Sequence, residues 1–454
     1  VPRGWDPCLF DPELGPIPVL AAIDGADLVV LTRQGTFRKL FGFTMPANTV
    51  SSSYLVSRGD FLGAMVVAQP SAGTTEAELL LVHLDGTVVF HHQESVTAEA
   101  WGGGSGIVGN AAGTFAFSLA LGNAGRVWVA AADGRVLGPA SGYTFTGTSW
   151  PMSPYVEPDA RGRVVVTKSD TSAPPGLFWL DPCTGVARPT LLDNGGVGPF
   201  RWGAKLFGID GATGTLATET ADGVTTLAMT AVPANVPPWD FAATGFALFD
   251  LPPYPTSLSN RANLLVADLS GLAERPAPLA YPTGLTPVPA GAWLSQVGDS
   301  NNPAGFGLDS RGQVTMFLGD PSGATHLETT VDGTTWTTVG GALEADPSFG
   351  AELTLLYVES GGTYLVTGID PAVGGQVFRV VRPSTGVEAS LPAPGDVSAD
   401  GACASALGSL TQLTIVDATT GSTFSATLPT PATTSGWTST WIPGDDAAMY
   451  APYL

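Results

Sequence analysis

The stretch Leu79–His92, LLLVHLDGTVVFHH, sets one apolar run against another across a tight Asp85-Gly86 turn and ends in two adjacent histidines. It reads either as a lone hairpin with a metal site at its end or as one copy of a repeated unit. Recurrence along the chain decides between them. The same strand, Gly-bearing turn and strand return in LVVLTRQGTFRKLF (Leu28–Phe41), RVWVAAADGRVLG (Arg126–Gly138), LFWLDPCTGVARP (Leu177–Pro189), TLATETADGVTTLA (Thr215–Ala228), LLVADLSGLAERP (Leu264–Pro276), THLETTVDGTTWTTV (Thr325–Val339), VFRVVRPSTGVEAS (Val377–Ser390) and LTIVDATTGSTFSA (Leu413–Ala426).

The turn glycines of these nine hairpins fall at 35, 86, 134, 185, 223, 271, 333, 386 and 421, spaced by 35 to 62 residues. Glycine suits the position because so tight a closure calls for positive φ, which a Cβ makes costly. A second element recurs in the gaps as PDARGRVVV (Pro158–Val166), DSRGQVTMF (Asp309–Phe317), SADGACASA (Ser398–Ala406) and PGDDAAMYA (Pro443–Ala451). It reads as an earlier turn of the same unit, so one unit holds four strands.

Four-stranded antiparallel units repeated every ~40–50 residues point to an all-β fold, a single β-propeller. The hairpins, with their Asp-Gly or Asp-x-x-Thr-Gly turns, resemble the blades of quinoprotein-like and WD-repeat-like propellers. That resemblance implies the fold and carries no cofactor residue. TVDGTTW (Thr330–Trp336) is similar to a degenerate Asp-box of sialidase-like propellers, where the Asp tightens a turn and the Trp packs beneath it. The expected organisation is a tail over 1–17 and a propeller over 18–454. The N-terminus supplies late strands of a unit and the C-terminus early ones, so one blade would join the two ends. About eight blades are expected, with seven to nine allowed, because propellers above about eight are rare. The closely spaced hairpins at Gly223 and Gly421 are the ones in question.

Charged residues make up 13% of 454, about half the usual share, beside 58 Gly and 38 Pro. The net charge of -22 comes from a shortage of bases, 18 against 40 acids, with only Lys39, Lys168 and Lys205 as lysines. Nucleic acid is not an expected partner, since phosphate binding needs a basic face. No apolar run is long enough for a membrane-spanning helix. The three cysteines lack metal-ligand spacing, and WDPC (Trp5–Cys8) and LDPC (Leu180–Cys183) suggest a Cys8–Cys183 disulfide, while Cys403 reads as a small buried residue. The chain opens at VPRGW without an initiator Met, so an upstream segment removed or left out is expected. An extracytoplasmic location, secreted, periplasmic or at the cell surface, is also expected. The low Lys to Arg ratio suggests a bacterial, GC-rich source.

Adjacent side chains on a strand point to opposite faces, so His91 and His92 cannot share a metal, and His83 and His326 complete no ligand set. No metal or cofactor is expected. GATG (Gly211–Gly214), WGGGSG (Trp101–Gly106) and NGG (Asn194–Gly196) precede no helical pattern and form no phosphate loop. GDSNNP (Gly298–Pro303) lacks the order of a calcium loop. No Ser-His-Asp set can be placed, and the adjacent Asp445-Asp446 says nothing of two carboxylates across a cleft.

The tryptophans carry the strongest signal. Trp101, Trp150, Trp202, Trp239, Trp293 and Trp437 follow turn glycines 86, 134, 185, 223, 271 and 421 by 15, 16, 17, 16, 22 and 16 residues. They recur where one unit hands over to the next, either as inter-blade wedges or as a ring of indoles at a channel mouth that stacks on a glycan or a protein ligand. A non-catalytic binding or scaffold propeller is the first functional expectation. A propeller polysaccharide lyase or glycoside hydrolase, with Arg201 beside Trp202 as one residue of interest, is the second. A structural module of a surface assembly is the third.

Overall fold

A computed structural model describes residues 18–24, 26–32, 37–45, 50–71, 74–97, 105–121, 124–139, 154–170, 173–193, 199–227, 229, 232–241, 245–251, 264–269, 273–274, 279–287, 306–308, 312–319, 325–338, 354–358, 363–369, 376–382, 385–393, 395–397, 403–409, 412–427 and 438–441. These residues contain no helix and form nine antiparallel sheets that follow one another along the chain. The quoted stretch belongs to the second sheet, whose strands are Val50–Arg58, Phe61–Ser71, Thr74–His83 and Val88–Thr97, paired in that order. In the first sheet Thr438–Trp441 lies beside Pro18–Asp24, with Leu20 opposite Trp441, so strands from both ends of the chain share one sheet. The first strands of the first three sheets, Thr438–Trp441, Val50–Arg58 and Gly106–Gly109, touch one another in turn.

The continuous apolar run at Leu79 follows from burial on both faces. Leu80 and Val82 pack with Leu62, Ala64 and Val66 against Ile23, Leu28 and Val30 of the first sheet. Leu79 and Leu81 turn the other way, with Met65 and Val67, onto Phe115, Phe117 and Trp128 of the third. Alternate residues thus serve alternate interfaces, and a strand with two dry faces needs no polar positions between its apolar ones. Equivalent clusters join the third and fourth, fourth and fifth, fifth and sixth, sixth and seventh, and eighth and ninth sheets.

Each of the nine turn glycines falls at the link between the last two strands of its own sheet, Gly35 and Gly271 themselves lying outside the described residues. Gly223 and Gly421 are no exception: they join Leu216–Thr220 to Gly223–Thr226 in the fifth sheet and Gln412–Asp417 to Thr423–Thr427 in the ninth. Their close spacing reflects short strands, and the nine sheets among the described residues stand at the top of the expected range. The motif from Pro158 lies between first and second strand positions, whereas residues 309–311 and 398–402 of two others and all of Pro443–Ala451 are outside the described residues. In these first turns glycine meets a second demand, because the chain also approaches the neighbouring sheet. A Cβ on Gly113, at φ 78°, would come within 2.8 Å of the Phe61 ring.

Seven of the 40 acids form turns in the same way. Asp85, Asp133, Asp159, Asp181, Asp210, Asp332 and Asp417 each accept the backbone N–H two residues on, at 2.7–3.1 Å. This corrects the reading of LDPC. Asp181 holds the Cys183 amide at 2.8 Å in such a turn, and Cys183 is a free, exposed thiol, so the expected Cys8–Cys183 bridge is not formed. Cys403 is buried and disulfide-bonded, while Cys8 lies outside the described residues. The shared Asp-Pro-Cys letters thus carry turn chemistry at Cys183.

Two fully buried carboxylates tie sheets together. Glu78 accepts the Thr44 N–H at 2.9 Å and the Thr44 hydroxyl at 3.0 Å, gripping the connector from the first sheet. Glu219 does the same to the connector from the fourth sheet through the Leu191 N–H at 2.8 Å, and pairs with Arg188 at 2.6 Å.

Candidate functional site

His91 and His92 point to opposite faces, as strand geometry requires. His91 Nε2 lies 2.7 Å from Glu78 on the side of Phe41, and His92 Nε2 lies 3.1 Å from Glu94 on the side of Trp128. In the Asp-box-like turn, Asp332 accepts the Thr334 and Thr335 amides at 2.7 and 2.6 Å, which holds its carboxyl well below the usual range. Trp336 donates its indole N–H to Ala280 O at 2.6 Å and packs on Tyr281, a structural arrangement.

Of the six repeated tryptophans, Trp101, Trp150, Trp293 and Trp437 lie outside the described residues. Trp239 is the second residue of the strand Pro238–Phe241, and Trp202 closes the strand Phe200–Trp202 at its turn. Their places on the two strands thus differ by one residue, as do their spacings of 17 and 16 from the preceding turn glycines. Trp202 is half-buried and meets Phe241 edge-on at 5.7 Å, so it packs between the fifth and sixth sheets. It also lines an open cleft of about 440 Å³ between the fourth and fifth sheets.

Three turns build this cleft. Asp159–Arg163 comes from the fourth sheet, and Trp202–Lys205 and Thr220–Asp222 come from the fifth. In the first, Gly162 at φ 79° lets Asp159 accept the Arg161 and Arg163 amides at 2.8 and 2.9 Å. The Arg163 guanidinium is then held from both sides: Nε donates to Asp159 at 2.7 Å, and Nη1 and Nη2 donate to the two Asp222 oxygens at 2.7 and 2.9 Å. This bidentate pair spans the two sheets, raises the pKa of Arg163 and lowers that of Asp222. Arg188 supports the third turn by donating to Thr220 O at 2.6 Å.

The second turn presents a different cation. Gly203, at φ 56°, closes a hairpin that sets Trp202 and Lys205 opposite each other, and Lys205 Nζ lies 3.6 Å from the Trp202 ring centroid. A cross-strand cation–π pair holds the ammonium in place. Burial alone lowers the pKa of Lys205, and it has no carboxylate partner among the described residues. Arg161 is also weakly engaged, 3.8 Å from Asp222 with a side chain 75% exposed. Three cations against two carboxylates make the lining locally positive on a chain of net charge -22. Arg201 stacks on Tyr155 at 4.7 Å.

Sequence reading singled out Trp202 and missed its partners. Arg161, Arg163 and Asp222 sit in DARGR and TADG, which look like ordinary turns, and the rarity of lysine was the only signal at Lys205.

No family model and no curated protein matches the chain. Solved structures similar to it include a eukaryotic initiation factor, at 9% identity and TM-score 0.47 over 94% of this chain and 98% of that one. The dihydro-heme d1 dehydrogenase NirN in complex with DHE is similar at 12% identity and TM-score 0.37, over 93% and 75%. TolB from Acinetobacter baumannii is similar at 12% identity and TM-score 0.23, over 83% and 81%. These likenesses concern the propeller-type architecture and nothing of ligand or activity.

Proposed function

We propose that the protein is a non-catalytic binding propeller that works outside the cytoplasm and takes a glycan into the cleft between its fourth and fifth sheets. The observation that carries this reading is the gathering of Trp202, Lys205, Arg161 and Asp222 around one open cleft of about 440 Å³, within the usual size range for small-ligand sites. Asp222 and the Thr220 hydroxyl supply acceptors for sugar hydroxyls, and the two basic side chains supply donors. The disulfide at Cys403 favours an oxidising compartment.

The reading favours binding over glycoside hydrolysis because Asp159 and Asp222 both serve Arg163, and a hydrolase needs two carboxylates facing the scissile bond. A polysaccharide lyase is the second reading, because Lys205 faces the same open cleft as Asp222 and Trp202. A purely structural role predicts no ligand at all. Calorimetric titration with a panel of oligosaccharides tests these readings. Binding that Trp202→Ala weakens roughly tenfold, with the saccharide recovered intact, supports a binding module. Cleavage to an unsaturated product would transfer the site to the lyase reading, and no heat from any saccharide would remove the glycan.

A further inference from the structure

We propose that the ligand is an acidic saccharide whose anionic group, a uronate carboxylate or a sugar sulfate, sits between Lys205 and Arg161; this rests on the cleft being the ligand site. The first support is the state of the Trp202 ring. One face carries the Lys205 ammonium at 3.6 Å, and the ring also meets Phe241 edge-on. A neutral sugar stacking on the covered face has to displace a cation–π contact, whereas an anion approaches the ammonium directly. Trp202 is then a positioning residue for Lys205.

The second support is the division of charge within the cleft. Arg163 is neutralised by Asp159 and Asp222 and is 16% exposed, so it is fixed structure. Lys205 lacks a carboxylate among the described residues, and Arg161 reaches Asp222 only at 3.8 Å. Those two cations are available to an incoming anion. The carboxylate of Asp222, 67% exposed, faces the same space and accepts hydroxyl protons. A ligand that meets both demands carries an anionic group and several hydroxyls. An acidic peptide meets only the first.

The test is a calorimetric titration of the full chain with a panel of oligouronates and sulfated oligosaccharides, each beside its carboxyl-reduced or desulfated counterpart, and with hexaglutamate. The charged saccharide is expected to bind roughly tenfold more tightly than its neutral counterpart at low salt, with the gap narrowing at about 0.15 M ionic strength. Whether the uronates or the sulfates show the gap identifies the source of the charge. Arg161→Gln and Lys205→Gln should each reduce that gap while leaving the melting temperature near that of wild type; Arg161, on the surface, guards against misfolding as the cause. Equal affinity for charged and neutral saccharides overturns the proposal and leaves the glycan site standing. No binding of any saccharide removes both. Hexaglutamate bound more tightly than every saccharide overturns the proposal in favour of a protein partner.

Discussion

At the residue level, the third sheet offers a matched pair of glycines. Gly113 and Gly134 both hold positive φ, at 78° and 83°, but only Gly113 is pressed by a neighbouring sheet, while nothing lies within 4 Å of a Cβ on Gly134. Gly134→Ala is expected to cost about 1 kcal/mol, the backbone term alone. Gly113→Ala adds overpacking against Phe61 and should cost about 3 kcal/mol in urea denaturation. Equal losses would contradict the tight approach of the second and third sheets. Lys205 supplies the pH prediction. Its folded pKa is lowered by burial, so between that value and the unfolded value near 10.4 the unfolded chain binds more protons, and stability rises with pH across this alkaline window. Anion affinity falls over the same window as the ammonium is lost. Both effects are read as the difference between wild type and Lys205→Gln, and a difference that is flat with pH would contradict the assignment.

At the level of the strand, hairpins were legible and the ties between them were not. The Asp85-Gly86 turn and its apolar arms announce their conformation locally, through positive φ and side-chain pattern. Glu78 in the same arm looks like a solvent-facing residue, yet it is fully buried and grips Thr44, 34 residues away. Its role depends on a connector from another sheet, which no local pattern encodes. Glu78→Ala removes the acceptor of the Thr44 amide and the partner of His91, and Glu219→Ala removes the acceptor of the Leu191 amide and the carboxylate partner of Arg188. Each is expected to lower stability by about 3 kcal/mol in chemical denaturation. A loss below about 0.5 kcal/mol, ordinary for a surface change, would show that the carboxylates do not hold the sheets together.

For the whole molecule, repetition made the architecture readable and long-range assembly hid the site. Each hairpin glycine marks one sheet, because every unit solves the same closure problem in the same way. The cleft instead draws on residues 159–163, 202–205 and 220–222, from turns of two sheets that meet only after folding. Its character is also contrary to the composition: an acidic chain concentrates scarce bases at one opening, while many of its acids are fixed in turns. Lysine scarcity makes the central claim accessible to a single experiment. Acetylation of the full chain by acetic anhydride, read by mass spectrometry with and without a saturating acidic oligosaccharide, compares Lys205 with Lys39, which pairs with Asp27 in the first sheet. Protection of Lys205 with Lys39 unchanged is the predicted result. Equal acetylation of Lys205 in both conditions, with binding verified by calorimetry, would place the ligand elsewhere on the molecule.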